Sequence, residues 1–322
     1  MKKFVISENE NGITLEKYLK KVLNNAPLSF IYKTLRKKDV RVNNHWQDGK
    51  YVLSKGDEVS IYISEEQYES FNKPLGLKAN NQIESWIIYE DKNILLINKP
   101  RNILVQADAS NDKALDQMVV EYLMFKGEYD PLNNQGFKPG PAHRIDRNTS
   151  GIVIFGKNRD TLAYLAILMQ NHDKIEKHYL SLVVGEIKED GVIEAPLRKN
   201  FSTKKVVVCP EKDGGKPAKT MYHVVENLPG FTLLELVLKT GRTHQIRVHM
   251  SYIRHHVVGD SKYGDFKINN KMEKEYGFKN QFLHANEIIF GTLDKPLQYL
   301  SNKKFLADMP EEFNDLIAKL RN

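Results

Sequence analysis

Cysteine is nearly absent: Cys209 is the single one in 322 residues. That excludes an internal disulfide and any zinc site built on paired thiolates, and Cys209 itself is expected in or near a strand. Long apolar runs are missing too. No stretch approaches the roughly 18 uninterrupted apolar residues of a membrane-spanning helix, and residues 1–7 hold no signal-peptide apolar core, so a cytoplasmic protein without membrane contact is expected. Internal repeats and low-complexity tracts are absent as well. A composition 41% hydrophobic and 28% charged is that of a folded globular chain, not a disordered one. Acidic charge is in short supply: 48 Lys and Arg stand against 41 Asp and Glu, a net +7. The surplus favours an anionic partner, and the basic residues are concentrated locally. The length suggests two domains.

What is present starts with a short amino-terminal module. Thr14 reads as an N-cap, followed by Leu15, Tyr18, Leu19, Val22 and Leu23 on one helical face. Ser29 is positioned to cap a second helix over 30–38, whose end carries Lys33, Arg36, Lys37 and Lys38. Val40 and Val42 before Asn43-Asn44 predict a strand and tight turn, and a further strand is predicted over 58–63. The order Leu15…Tyr18-Leu19, Ser29…Arg36-Lys37, Val40-Arg41-Val42-Asn43 and Lys55-Gly56-Asp57 resembles the S4-type RNA-binding domain, over residues 13–63. It departs from that pattern at Asn44, where Gly is usual; Asn tolerates a left-handed turn. The resemblance implies a small α+β domain in which Lys33, Arg36, Lys37 and Arg41 touch RNA phosphates, contacts that position RNA without reading bases. This first domain is expected over 1–63. Residues 64–83, with Asn72-Lys73-Pro74, Gly76 and Asn80-Asn81, read as a linker.

Residues 84–322 read as a second, larger domain. Strands are predicted over 86–89 and 94–98, joined as a hairpin and ended by Lys99-Pro100. Asp112 is positioned to cap a helix through Leu115, Met118, Val119, Tyr122 and Leu123. A helix near Asp160, strands over 177–185, 222–225, 231–238 and 287–290, and a last helix after Pro310 complete the pattern. The loops 199–205 and 212–219 are basic.

Within this domain, His143-Arg144-Ile145-Asp146-Arg147-Asn148-Thr149-Ser150-Gly151 sets one carboxylate between two arginines, ahead of a buried strand at 152–155. An ionised acid held this way suits nucleophilic or base chemistry, although an isolated Asp beside an Arg is ordinarily a surface ion pair. A second motif, residues 239–250, turns at Gly241 and enters a helix that Thr243 is positioned to cap. His244 and Arg247, three apart, share a face of it. His244, His249, His255 and His256 fall on different faces, with no thiol or acidic partner completing a chelating set, which argues against a metal. Ser150 lacks the glycine-flanked elbow of a serine hydrolase.

Four segments together resemble the RluA-type pseudouridine synthases: residues 143–151; Lys177-His178-Tyr179-Leu180; Gly241-Arg242-Thr243-His244-Gln245-Ile246-Arg247-Val248-His249-Met250 with Gly259-Asp260 and Tyr263-Gly264; and Leu283-His284-Ala285. Their order matches, and the likeness spans about 83–316. Ile145 stands where Leu is usual, and Arg254-His255-His256 where Gly-His-Pro is common. With an S4-type module in front, the resemblance points to the subgroup acting mainly on large-subunit ribosomal RNA. It implies an α+β fold with a mixed, mainly antiparallel central sheet and a cleft across it. It assigns catalysis to Asp146, with Tyr179 stacking on the target base and Arg247 pairing with Asp146; Arg144, Arg147, Arg242 and His244 become RNA contacts. Isomerising uridine is redox-neutral, so no cofactor is expected. The base must leave its stack to be reached. Asp146 either attacks the anomeric carbon or takes the 2′ proton, and the Tyr179 hydroxyl is a candidate base for the final proton loss. A transfer-RNA substrate, and a non-catalytic RNA-binding assembly factor, stand as alternatives. RNA in a free or pre-ribosomal form is the expected partner of a monomer with no required protein partner.

Overall fold

The computed structural model describes residues 1–72, 78–108, 112–131, 136–170, 174–200, 202–203 and 205–321. It divides into two compact units: Met1–Ser85 with Asp116–Gly140 and Gly156–Ala163, and Trp86–Leu115 with Pro141–Phe155 and Tyr164–Asn322. No described helix is long and apolar enough to cross a membrane.

The first unit begins β1 (Lys2–Val5), α1 (Leu15–Val22), α2 (Leu28–Arg36), β2 (Val40–Val42), β3 (His45–Trp46) and β4 (Glu58–Ile61), with the four strands in the order β1-β4-β2-β3. Thr14 caps α1 as its position predicts, its hydroxyl accepting from the Lys17 amide at 3.4 Å. Leu15, Tyr18, Leu19 and Val22 are buried against Ile31, Val40, Val42, Val59 and Ile61. Each such side chain removed from water stabilises by about 1.5–3 kcal/mol. The second helix starts and ends two residues before the predicted 30–38. Pro27 holds the N-cap position at φ −58, presetting the helical entry without a side-chain cap, and Ser29 falls inside the first turn. Asn43 and Asn44 both take positive φ, 49 and 67, and join β2 to β3 with Val42 opposite His45, the two-residue turn that suits right-handed strand twist.

Part of the stretch read as a linker is a helix. Ser64 caps α3 (Glu65–Phe71) in a reciprocal box with Gln67, and Tyr68 and Phe71 pack on the core of the first unit. Two aromatics on an otherwise polar segment are too few to set up a readable period. Lys73, Pro74 and Gly76 lie outside the described residues, as do Phe201 and Lys204 of the basic loop.

From residue 86 the chain runs β5 (Ile87–Glu90), β6 (Ile94–Lys99), α4 (Leu115–Phe125), β7 (Gly140–Pro141), β8 (Ser150–Gly156), α5 (Arg159–Leu168), β9 (Ile175–Val184), β10 (Gly191–Glu194), β11 (Leu197–Lys199) and β12 (Val206–Val208). Then come β13 (Lys219–Leu228), β14 (Phe231–Leu238), α6 (Gln245–Tyr252), α7 (Phe266–Tyr276), β15 (Leu283–Phe290), β16 (Lys304–Leu306) and α8 (Glu311–Arg321). A 10-stranded sheet has the order β10-β13-β14-β9-β15-β8-β6-β5, with β16 beside β15 and β7 beside β8. Of its pairings with a described register, β8 with β15 is parallel and the others are antiparallel. This is the mixed, mainly antiparallel α+β arrangement expected.

Layers cover both faces of the central strands. Ile246 and Met250 of α6 pack with Tyr179, Val183, Leu234 and Leu236. Phe313, Leu316, Ile317 and Leu320 of α8 pack with Leu182, Leu233 and Phe282, the Phe282 and Phe313 rings stacking at 3.9 Å. Alternation along β9 follows: Ile175, Lys177, Tyr179 and Ser181 are buried on one face, while Glu176, His178 and Leu180 are half-buried on the other. At the β8/β15 contact, Gly151 has φ +109, and a Cβ there would stand 2.2 Å from the Ala285 carbonyl oxygen. Only glycine permits that approach. The buried Ser150 hydroxyl donates to His284 Nδ1 at 2.9 Å, and His284 Nε2 donates to the Ala307 carbonyl at 3.2 Å. Two separated motifs thus meet at one point, just behind the Asp146 loop.

Candidate active site

A cleft of about 1010 Å³ lies within the second unit, lined by residues 104–108, the 143–149 loop, Lys177, Tyr179, Leu238, residues 240–247 and Leu283. Asp146 stands in the loop entering β8. The loop is closed locally by the Thr149 amide donating to the Asp146 carbonyl at 3.1 Å, and the Thr149 hydroxyl accepts from Gln281 Nε2 at 2.9 Å. Beneath it lies Lys99, fully buried at the end of β6. Its ammonium donates to the carbonyls of Pro100 at 2.8 Å, Ile103 at 2.9 Å and Arg147 at 3.0 Å. Three protons meet three acceptors, so one side chain ties the edge of the cleft to the Asp146 loop. Burial pulls the Lys99 ammonium down to about 7, with Asp146 acting in the opposite sense.

Arg247, 8% exposed on α6, spans two carboxylates. Its Nη1 donates to Asp146 Oδ2 at 2.6 Å, while Nε and Nη2 donate to Asp260 Oδ2 and Oδ1 at 2.7 and 2.8 Å. Asp260 is fully buried and also accepts from the Lys262 and Tyr263 amides at 2.8 and 3.0 Å. Burial alone would raise its pKa; the Arg247 fork and the two amides outweigh that and hold its carboxyl below the ordinary range. The fork fixes the guanidinium plane. One remaining N–H edge is thereby aimed at Asp146. Gly259, at φ +74, makes the turn possible, because a Cβ there would lie 1.9 Å from the Asn280 carbonyl oxygen.

His244 reaches the same carboxylate, its Nε2 4.0 Å from Asp146 Oδ1. Its Nδ1 meets the Tyr263 hydroxyl at 2.8 Å, and that hydroxyl accepts from the Val206 amide at 2.9 Å. The arrangement favours a neutral ring with its N–H toward Asp146, in line with burial lowering the His244 pKa. The Arg247 guanidinium lies 5.1 Å from the Tyr263 ring centroid. Tyr179, 6% exposed, presents its ring on the cleft side of β9. Burial first, and the Asp146 charge second, push its phenol well above the ordinary range, so the hydroxyl is protonated at neutral pH.

The structure therefore brings Asp146, Tyr179, Arg247 and His244 together. Arg144, Arg147 and Arg242 line the same cleft. Arg147 pairs with Asp112, which stands three residues before α4 and does not occupy its N-cap position, and Arg242 Nε donates to the Pro217 carbonyl at 3.0 Å. Lys33, Arg36, Lys37 and Arg41 are exposed in the first unit. Arg41 lies over the Tyr62 ring at 5.2 Å and Lys38 over Trp46 at 5.1 Å.

Helix α6 begins differently from expectation. His244, in a left-handed conformation at φ 54, holds the N-cap position in place of Thr243. The cause is Gln245, whose side-chain oxygen accepts from the Arg242 amide at 3.0 Å and the Thr240 hydroxyl at 2.7 Å. The departure at 254–256 is accommodated as well. Arg254 adopts the positive φ, 65, that Gly would take, and His255 and His256 donate from Nδ1 to the Val184 and Tyr263 carbonyls at 2.9 and 2.7 Å. His249 bridges Thr220 and Ala195. Each of these histidines thus has its own partners. Among the described residues one group, His178, Glu235 and Glu287, brings three possible metal-ligand atoms within 4.8 Å of one another; it lies on the opposite sheet face from Tyr179, and Lys304 ion-pairs with Glu287.

Two structural partners were not read as site residues from the sequence. In the sequence Asp260 stands only as part of the Gly259-Asp260 motif, and Lys99 only as the end of a strand. A lysine inside the apolar run 94–99, with no acid beside it, is the signal that identifies the second.

The description "RNA pseudouridylate synthase" belongs to the family model that matches residues 93–252. The chain is 33% identical to an "Uncharacterized RNA pseudouridine synthase" of Mycoplasma capricolum, over 96% of this chain and 98% of that protein. It is 36% identical to a "Ribosomal large subunit pseudouridine synthase C" of Haemophilus ducreyi, over 99% and 95%. In fold it is similar to the solved structure of human RNA Pseudouridylate Synthase Domain Containing 4, with a TM-score of 0.60 at 21% identity, covering 75% of this chain and 95% of that one. The chain belongs to the RluA-type family of pseudouridine synthases, RNA uridine isomerases.

Proposed function

We propose that the protein converts specific uridines of large-subunit ribosomal RNA to pseudouridine, with Asp146 as the catalytic acid residue. The observation that carries the assignment is the Arg247 fork: Asp260 fixes the guanidinium, which holds Asp146 Oδ2 and leaves Oδ1 directed into the cleft beside His244. The substrate class rests on relatives named for the ribosomal large subunit, matched over nearly the whole chain.

The reaction breaks the bond from C1′ to N1, turns the uracil, joins C1′ to C5, releases the C5 proton and puts a proton on N1; atoms and electrons balance without a cofactor. Asp146 initiates it by attack at C1′ or by taking the 2′ proton. Tyr179 supplies an apolar platform for the extruded base, whose unstacking costs a few kcal/mol. Its protonated hydroxyl serves as a hydrogen-bond donor in the resting site, so a role in removing the C5 proton requires prior loss of its own. Arg144, Arg147, Arg242 and His244 contact the RNA around the target. The S4-type module adds phosphate contacts through Lys33, Arg36, Lys37 and Arg41. The enzyme acts in the cytoplasm as a monomer.

The test is tritium release from RNA labelled at uridine C5. Asp146→Asn is expected to lose at least about 10³-fold in rate while binding RNA normally; equal rates in variant and wild type would remove the assignment. Mapping pseudouridines in total RNA with and without the protein separates ribosomal from transfer RNA, and absence of any new pseudouridine would indicate a binding factor.

A further inference from the structure

Lys177 precedes Tyr179 by two residues on β9, so the two share one face of the strand, about 7 Å apart along it. Both line the cleft, and Lys177 is 7% exposed. It makes no hydrogen bond or ion pair with any described residue. Lys99 provides the contrast, because it is buried to a similar depth but spends its three protons on three carbonyls. The titratable neighbour of Lys177 is His143, which burial, then the Lys177 charge, lower to about 3, and whose Nε2 accepts from the Ile154 amide at 3.2 Å. A neutral imidazole cannot neutralise an ammonium. Asp146 is committed to Arg247.

An ammonium so far withdrawn from water, with no counter-charge among the described residues, is costly, and an apolar side chain of equal length would fit the same space at less cost. The position makes sense when an anion arrives with the substrate. Uracil is neutral, and its carbonyls accept hydrogen bonds without cancelling a charge, whereas each nucleotide brings one phosphate. We propose that Lys177 is the anchor for one backbone phosphate next to the nucleotide laid on Tyr179, a positioning residue for the isomerisation. Burial, holding its ammonium down to about 8, leaves it charged at neutral pH. Phosphate binding relieves the desolvation, so the contact is stronger than one made by a solvated lysine. The inference rests on RNA entering this cleft.

The test compares Lys177→Met and Lys177→Arg with the wild type in the full chain, using an unmodified large-subunit ribosomal RNA transcript as probe. Lys177→Met is expected to raise KM about 10- to 100-fold, as loss of a charge-assisted hydrogen bond does, with kcat held within about threefold. The slope of log binding constant against log salt, measured between about 50 and 200 mM, should fall in magnitude by roughly 0.7–0.9, one phosphate. Melting temperature of the free protein should rise, because an uncompensated charge has been removed, and Lys177→Arg should restore the slope. An unchanged slope with a fallen kcat would show that the ammonium acts on the base or the chemistry, and overturn the proposal. So would a fallen melting temperature without a change in slope, the mark of a packing role. Wild-type turnover of the transcript tests the ribosomal substrate separately, and the salt slope and melting temperature report on Lys177 whatever that turnover is.

Discussion

The basic residues of the two units do different physical work. Lys33, Arg36, Lys37 and Arg41 stand in water on the first unit. A charge so placed contributes little to folding and acts on a polyanion at long range, subject to salt. Arg247, Lys99 and Lys177 are enclosed in the second unit. There each charge must be compensated or must carry a cost, and the three answer in three ways: two carboxylates, three carbonyls, and no partner among the described residues. Solvent access is thus a better guide to the role of a cation here than its residue type or local charge density.

Replacing Arg247 should widen that contrast most. Arg247→Ala leaves the buried Asp260 without its counter-charge, and unfolding free energy should fall by about 3–5 kcal/mol. Tritium release should be lost while RNA binding persists; a variant that turns over normally would refute the pairing with Asp146. Asp260→Asn keeps shape but loosens the fork, and a displacement of the order of 1 Å at Asp146 predicts about a 10²-fold fall in kcat, read in the same assay at unchanged KM.

A smaller effect is expected from pH. In the folded protein Lys177 releases its proton at about 8, against 10.5 for the ordinary group. Between those values the unfolded chain binds more protons than the folded one, so stability rises with pH. The difference between wild type and Lys177→Met in denaturant unfolding should narrow across that window; a constant difference would mean that Lys177 is solvated. The least disturbance should come from the first unit. Arg36→Ala and Lys37→Ala should change stability by no more than about 0.5 kcal/mol. They should weaken RNA binding at low salt, converge on the wild type at high salt, and leave kcat alone. A drop in kcat would break the division between the two sets of cations.

Much of this was legible in the chain, for reasons that differ by element. Helix α1 declares itself because its buried stripe is dense and Thr14 marks its start; α8 does so through Pro310 and its four apolar residues. β9 alternates over ten residues. Asp146 and Arg247 are 101 positions apart, and nothing in the pattern of either segment joins them; the family motif supplied the pairing. Elements held by single tertiary partners stayed hidden. The start of α6 depends on one Gln245 side chain, α3 on two aromatics, and the status of Lys99 and Asp260 on acceptors and donors brought from other strands. Local periodicity carries no information about such partners.

The close passage of Gly151 against Ala285 has a consequence for how the enzyme comes into being. The loop bearing Asp146 is synthesised before the midpoint of the chain, yet its support comes from Arg247, Asp260 and the Ser150–His284 contact, which emerge much later. At translation speeds of about 5–20 residues per second, a nascent chain carries Asp146, the carboxylate proposed to be catalytic, for several seconds or more before it can be aimed. On that proposal, incomplete chains are kept inactive by architecture alone, and a chain ending before β15 should remain inert toward uridine.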